Sequence, residues 1–254
     1  MVRNCDFRFN GRAGLTILGA SHGELLVDNC YFERVGTNPN TSAYVQGLDY
    51  EPSNAEYCQG FTVQNCQFVN TALSMGALPL ADVILQNIRV YSYADGPELY
   101  TNGAGNLAGP AFACFGTRRL SIRDVTIVAE APQTGRAMLL RGPTEDLSVE
   151  NVRIFGPWGE AAGPLTTMAV FTADTIATLP QPKIHRVSMR NVYIESGGEN
   201  GIDFERIEDL HVQNVIVDSA SRNGIRVSSC DRVNLENCVV KLVSGHIFWG
   251  VASG

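Results

Sequence analysis

One short phrase returns nine times along this chain of 254 residues: an apolar residue, any residue, Asn or Asp, a small apolar residue or Cys, any residue, and an apolar residue. It reads VRNCDF from Val2, VDNCYF from Val27, VQNCQF from Val63, LQNIRV from Leu85, IRDVTI from Ile122, VENVRI from Val149, MRNVYI from Met189, VQNVIV from Val212 and LENCVV from Leu235. The polar position falls at Asn4, Asn29, Asn65, Asn87, Asp124, Asn151, Asn191, Asn214 and Asn237, at intervals of 25, 36, 22, 37, 27, 40, 23 and 23 residues. A base period of 22 to 25 residues, lengthened in places by insertions, is the pattern of repeats that stack and bury a continuous core between them.

The apolar residues of each phrase alternate, so they face one side of a strand, with the Asn at a fixed bend. After a variable stretch, most copies are followed by a second short apolar strand, such as GLTIL (14–18), GLDYE (47–51), GIDFE (201–205) or GIRVS (224–228). Two or three short strands per period leave too little chain for a helical repeat. They suit one coil of an all-β, single-stranded, right-handed parallel β-helix of about nine to ten coils, each coil pairing with the next about 4.8 Å away. Like residues then stack on like, and the Asn side chains form a ladder of amides, inside or at a turn. Cys5, Cys30, Cys66 and Cys238 directly follow the ladder Asn, where other copies carry Val or Ile, so they read as small buried hydrophobes. Seven cysteines with no CxxC argue against a zinc site and against a disulfide framework.

The repeated V-x-N-C/V-x-F phrase followed by G-I-x-[FV] resembles the right-handed parallel β-helix proteins of the pectin-lyase-like superfamily, which includes phage tailspikes and polysaccharide lyases, hydrolases and epimerases. The resemblance runs over nearly the whole chain, 1–254, read as a single domain. It implies an extended glycan as substrate or receptor, a location outside the cell or on a virion or cell surface, and, for the tailspike-like members, a homotrimer. Coil repeats report packing and not chemistry, so function has to be sought in outward residues and long turns.

The formal charge of −7, with no basic stripe, makes nucleic acid and anionic membranes poor partners, and no apolar run is long enough to span a bilayer. No basic-then-apolar leader stands at Met1. The chain enters a coil at Val2 and stops just after a strand, which reads as a piece of a longer chain or as ends covered by partners.

Three insertions are candidate site walls. The first, 36–46, carries Tyr44; the second, 93–110, holds Asp95, Glu98, Tyr100 and Asn102; the third, 156–182, holds Trp158. The sharpest constellation is Asp49 and Glu51 in GLDYEP: with Leu48 and Tyr50 inward, both acids face water, about 6.6 Å apart along the strand. Glycosidases need two carboxyls about 5 to 9.5 Å apart. Thr16 and Ser74 are expected beside Asp49, and no cation stacks on either acid, which favours one raised pKa; the competing reading is a pair of solvated surface acids. Asp95 and Glu98 are further catalytic candidates, and Tyr44, Tyr100, Trp158 and Asn102 are candidate sugar contacts, Trp158 by stacking an exposed ring. The GIDFE acids are expected to be structural, with Arg226 paired across to Asp203. The four histidines show no metal spacing, so neither a metal nor another cofactor is expected.

These residues lead to a glycoside hydrolase or polysaccharide lyase working on an extended glycan in a surface groove. The alternative is a non-catalytic tailspike-like or cell-surface β-helix that binds glycans or serves as a spacer.

Overall fold

The structure, a computed structural model, describes residues 1–9, 13–18, 24–33, 46–51, 58–75, 80–93, 112–115, 117–130, 136–141, 145–158, 169–174, 183–196, 198–243 and 246–251. Among these the only regular elements are strands, and every pairing between strands is parallel. The strands form two sheets. A 13-stranded sheet holds the Asn phrases, and a nine-stranded sheet holds the short apolar strands that follow them. Neighbours in a sheet are one repeat apart: Leu80–Ser92 pairs with Cys58–Gln64 on one side and Thr117–Ala129 on the other.

The repeat is what sets this register. Val27, Val63, Leu85, Ile122, Val149, Met189 and Val212 fall in one column and are fully or almost fully buried. Phe32, Phe68, Val90, Ile127, Ile154, Ile194 and Val217 form a second buried column. Stacking of like on like is literal at the start of this column, where the rings of Phe7, Phe32 and Phe68 lie parallel with centroids 4.9 and 4.7 Å apart. A slip of one residue would turn both columns out to water, so the register is strongly specified. The cysteines behave as hydrophobes: Cys30 and Cys66 are buried in the column continued by Ile88, Val125 and Val152. Burial pushes the Cys66 thiol up to about 12, so it stays protonated and inert.

The reason for Asn or Asp in the phrase is backbone conformation. All nine ladder residues have φ between +50° and +56°. This is the left-handed region, where Asn and Asp are tolerated far better than other side chains that carry a Cβ. The kink bends each long strand without breaking the sheet. The backbone N–H of the bend donates onward, as from Asn29 to Gln64 O at 3.1 Å and from Asn65 to Gln86 O at 3.2 Å. The side-chain amides then bond rung to rung on the outside of the bend, where they are exposed. Each Nδ2 donates back to the preceding rung: Asn29 to Asn4 at 2.8 Å, Asn87 to Asn65 at 2.8 Å, Asn191 to Asn151 at 3.1 Å and Asn214 to Asn191 at 3.1 Å.

Where the second sheet begins, the inner position is small. A Cβ built on Gly201 would lie 2.6 Å from Val217 Cγ1, so the two sheets meet there too closely for any side chain.

Candidate functional site

The nine-stranded sheet places Asp49 as the alternation requires. Leu48 and Tyr50 are buried inside, and Thr16 and Ser74 flank Asp49 in register. The expectation that Asp49 faces water is corrected: it is 4% exposed. Leu139 and Asp203 in the same column are covered as well, at 4% and 6% exposed, whereas Thr16 at the start of the column is exposed and Arg226 is half-buried. Glu51 ends the strand opposite Leu18, and its side chain lies outside the described residues. Arg226 does pair with Asp203, at 2.6 Å, from the next rung.

Trp158 is corrected too. Its ring is 1% exposed and its indole N–H donates to Phe155 O at 3.0 Å, so it packs inward and offers no open face for stacking. Tyr44, Asp95, Glu98, Tyr100 and Asn102 lie outside the described residues.

The described structure instead opens on the other sheet. A groove of about 780 Å³ crosses five neighbouring strands on the outer face of the 13-stranded sheet. Five rungs at about 4.8 Å make it roughly 19 Å long, running across the strands. Its floor is the outward column Ser121, Ser148, Ser188, His211 and Asn234. Beneath the floor, Leu120, Leu147, Val187 and Leu210 are buried.

One wall is a charge ladder. Reading along the rungs, the same column holds Asp82, Arg119, Asp146, Arg186, Asp209 and Arg232, with strictly alternating sign. Arg119 forks onto both carboxylate oxygens of Asp82 at 2.6 and 2.8 Å. Arg186 grips Asp146 and Arg232 grips Asp209 in the same two-toothed way. Gly60, Asp82 and Arg119 share positive φ values of 73°, 57° and 53°, so the strands kink at this end of the wall, while Asp146, Arg186, Asp209 and Arg232 continue it without the kink. On the other side the groove is lined by Arg190, four residues on from Arg186 and about 13 Å away along the strand.

The electrostatics of the wall follow from these pairs. The Arg119 guanidinium holds the Asp82 carboxyl below the ordinary carboxylate range, Arg186 does the same to Asp146, and Arg232 to Asp209. Glu208 is held low by His185, 2.7 Å away, and then by Arg232. A general acid needs its pKa raised toward the working pH, and these four are all lowered. They suit binding and not proton donation. On the groove floor the His211 Nδ1 and the Asn234 amide nitrogen lie 3.2 Å apart, which ties these two neighbouring side chains together.

The groove was missed in the sequence, although its signal is present there. Each wall residue stands five places before its ladder Asn or Asp, and each floor residue three places before it. Aligning the nine phrases and reading upstream of them would have exposed both columns. Among the described residues, no group of His, Cys, Asp and Glu is arranged to hold a metal ion, and no helix is long and apolar enough to cross a membrane. Comparison with protein-family models, with curated proteins and with solved structures finds no match.

Proposed function

We propose that the chain is a right-handed parallel β-helix of nine to ten coils, similar to the pectin-lyase-like superfamily, that holds an extended polysaccharide in the groove on its larger sheet. Right-handedness rests on the strong bias of parallel crossovers to that hand. The observation that carries the binding reading is the groove itself. It is straight, five rungs long, and lined by hydroxyls and paired charges that supply hydrogen-bond donors and acceptors on floor and wall. A polyhydroxylated chain can be bonded at every rung there, beside Arg119, Arg186 and Arg232 that are already matched by aspartates. This reading places the protein outside the cell or on a virion or cell surface, where such polymers are met, alone or as a homotrimer.

Cleavage is a second reading. It rests on Asp49 and Glu51, two carboxyls on one face of a strand, of which Asp49 is shielded from water and flanked in register by Thr16 and Ser74. The groove carboxylates, held low by arginine, do not support it.

The test is calorimetric titration with linear oligosaccharides, using the wild type and Ser148→Trp, which fills the floor at an exposed position. Binding lost in the variant supports the groove; absence of binding by the wild type rejects the proposal. New reducing ends from the wild type, absent in Asp49→Asn/Glu51→Gln, would establish the hydrolytic reading.

A further inference from the structure

Resting on the reading of the groove as a glycan site, we infer that its ligand is an uncharged chain whose successive rings turn over by half a turn, as in β-1,4-linked glycans, and not a coiled or acidic one. Three observations carry this. The first is neutrality. Asp146 with Arg186 and Asp209 with Arg232 are already matched pairs in the lining, Arg119 is matched by Asp82 one rung beyond the groove, and Arg190 adds one further charge to the lining. A polymer with a like charge on each ring meets a repelling group at every second rung and must break existing bidentate pairs to use the rest.

The second is straightness. The floor column keeps register over all five rungs, so a chain that follows it is extended, and a coiled glycan leaves the floor after a few rings. The small Ser148 floor lets a flat ring approach closely.

The third is period. Donor and acceptor alternate on the wall from rung to rung, so each recurs every two rungs, about 9.6 Å. A chain with half-turn symmetry brings the same edge hydroxyls to one side at every second ring. A guanidinium then meets one kind of edge and a carboxylate the other along the whole groove. A chain without that symmetry presents the same edge to donors and acceptors alike.

The experiment titrates the protein with three soluble hexasaccharides: β-1,4-linked glucose, α-1,4-linked glucose and β-1,4-linked mannuronate. The expected result is binding of the β-linked glucose hexamer at least tenfold tighter than of either other ligand. That affinity should change little between about 0.05 and 0.5 M salt, because no net charge is neutralised, and it should be lost in Ser148→Trp. Equal or tighter binding of the α-linked or acidic hexamer, still lost in Ser148→Trp, would overturn this inference and leave the glycan groove standing. If none of the three binds, the glycan reading itself fails.

Discussion

Asp124 stands one rung from Asn87 in the amide column, and among the described residues no side-chain hydrogen bond joins them. Every other donor in the column points back to the preceding rung, but a carboxylate has no proton to give. Asp124 accepts from Asn151 at 3.0 Å and cannot donate to Asn87. The column is therefore interrupted here, as it also is at Asn65, whose amide donates to Asp28 and not to Asn29. Asp124→Asn should close the break beside Asn87 and raise stability by about 0.5–1.5 kcal/mol, the usual worth of one such bond. Urea unfolding would read this as a higher midpoint with an unchanged slope, and a lower midpoint would refute it.

Asn65 combines a left-handed backbone, φ +55°, with bonds to Asp28 Oδ1 at 2.9 Å and from Asn87 at 2.8 Å. It is exposed, so water replaces part of what a truncation removes. Asn65→Ala should cost about 1–2 kcal/mol, much of it conformational. Asn65→Gly, which relieves the backbone but also loses the amide, should cost less. If the two cost the same, the bend has no part in the choice of Asn.

Gly156 has φ +95°, and a Cβ there would sit 1.9 Å from Ala129 O. Its N–H also donates to Glu195 Oε2 at 2.8 Å. Gly156→Ala should be strongly destabilising, about 3 kcal/mol or more. Thermal unfolding of the variant would check this, and a shift within error of the wild type would contradict the close approach.

Tyr193 donates to Asp218 Oδ2 at 2.6 Å, and this bond, followed by burial and the Asp218 charge, pushes its hydroxyl up to about 12. The unfolded value is about 10. A raised folded pKa contributes stability that is fully present below about pH 10 and is lost as pH rises toward 12. Tyr193→Phe should flatten that alkaline loss. Unfolding midpoints at pH 9 and about 11.5 for both proteins test it, and identical pH slopes would sink it.

On the acid side, Asp82, Asp146, Asp209 and Glu208 are held below their ordinary values by their cationic partners. Lowered folded pKa values give stability that is present above the unfolded values of about 4 and is lost as pH falls through the folded ones. Each pair is solvent-screened and individually modest, so the sum along the wall is what an acid titration should register. Arg186→Gln should reduce the drop between about pH 5 and 2, and a drop as steep as that of the wild type would show that the wall contributes none of it.

The stacking was legible because it is local chemistry repeated. A Phe at the sixth place of three successive phrases became the stacked rings of Phe7, Phe32 and Phe68. Cys in place of Val foretold the buried thiols of Cys30 and Cys66, while Cys5 and Cys238, in the outermost copies of the phrase, are only half-buried; GIDFE beside GIRVS foretold the Asp203–Arg226 pair. Asp49 was misplaced because alternation tells only which side of a strand a residue is on. It does not tell whether that side is covered. Trp158 was misplaced for the same reason: a ring between Gly and Pro in an insertion can turn either way, and here it turned in.

By itself the sequence determined the period, the inner columns and the left-handed bends, because hydrophobic alternation and the tolerance of Asn for positive φ act within a few residues of each other. Only the tertiary structure decided which outward columns are open. Asp82 and Arg119 lie 37 residues apart, and Asp146 and Arg186 lie 40 apart. They become neighbours only when rungs separated by unequal lengths of chain come into register. The groove exists because stacking turns a charge five places before each bend into a continuous wall, and that adjacency has no counterpart along the chain.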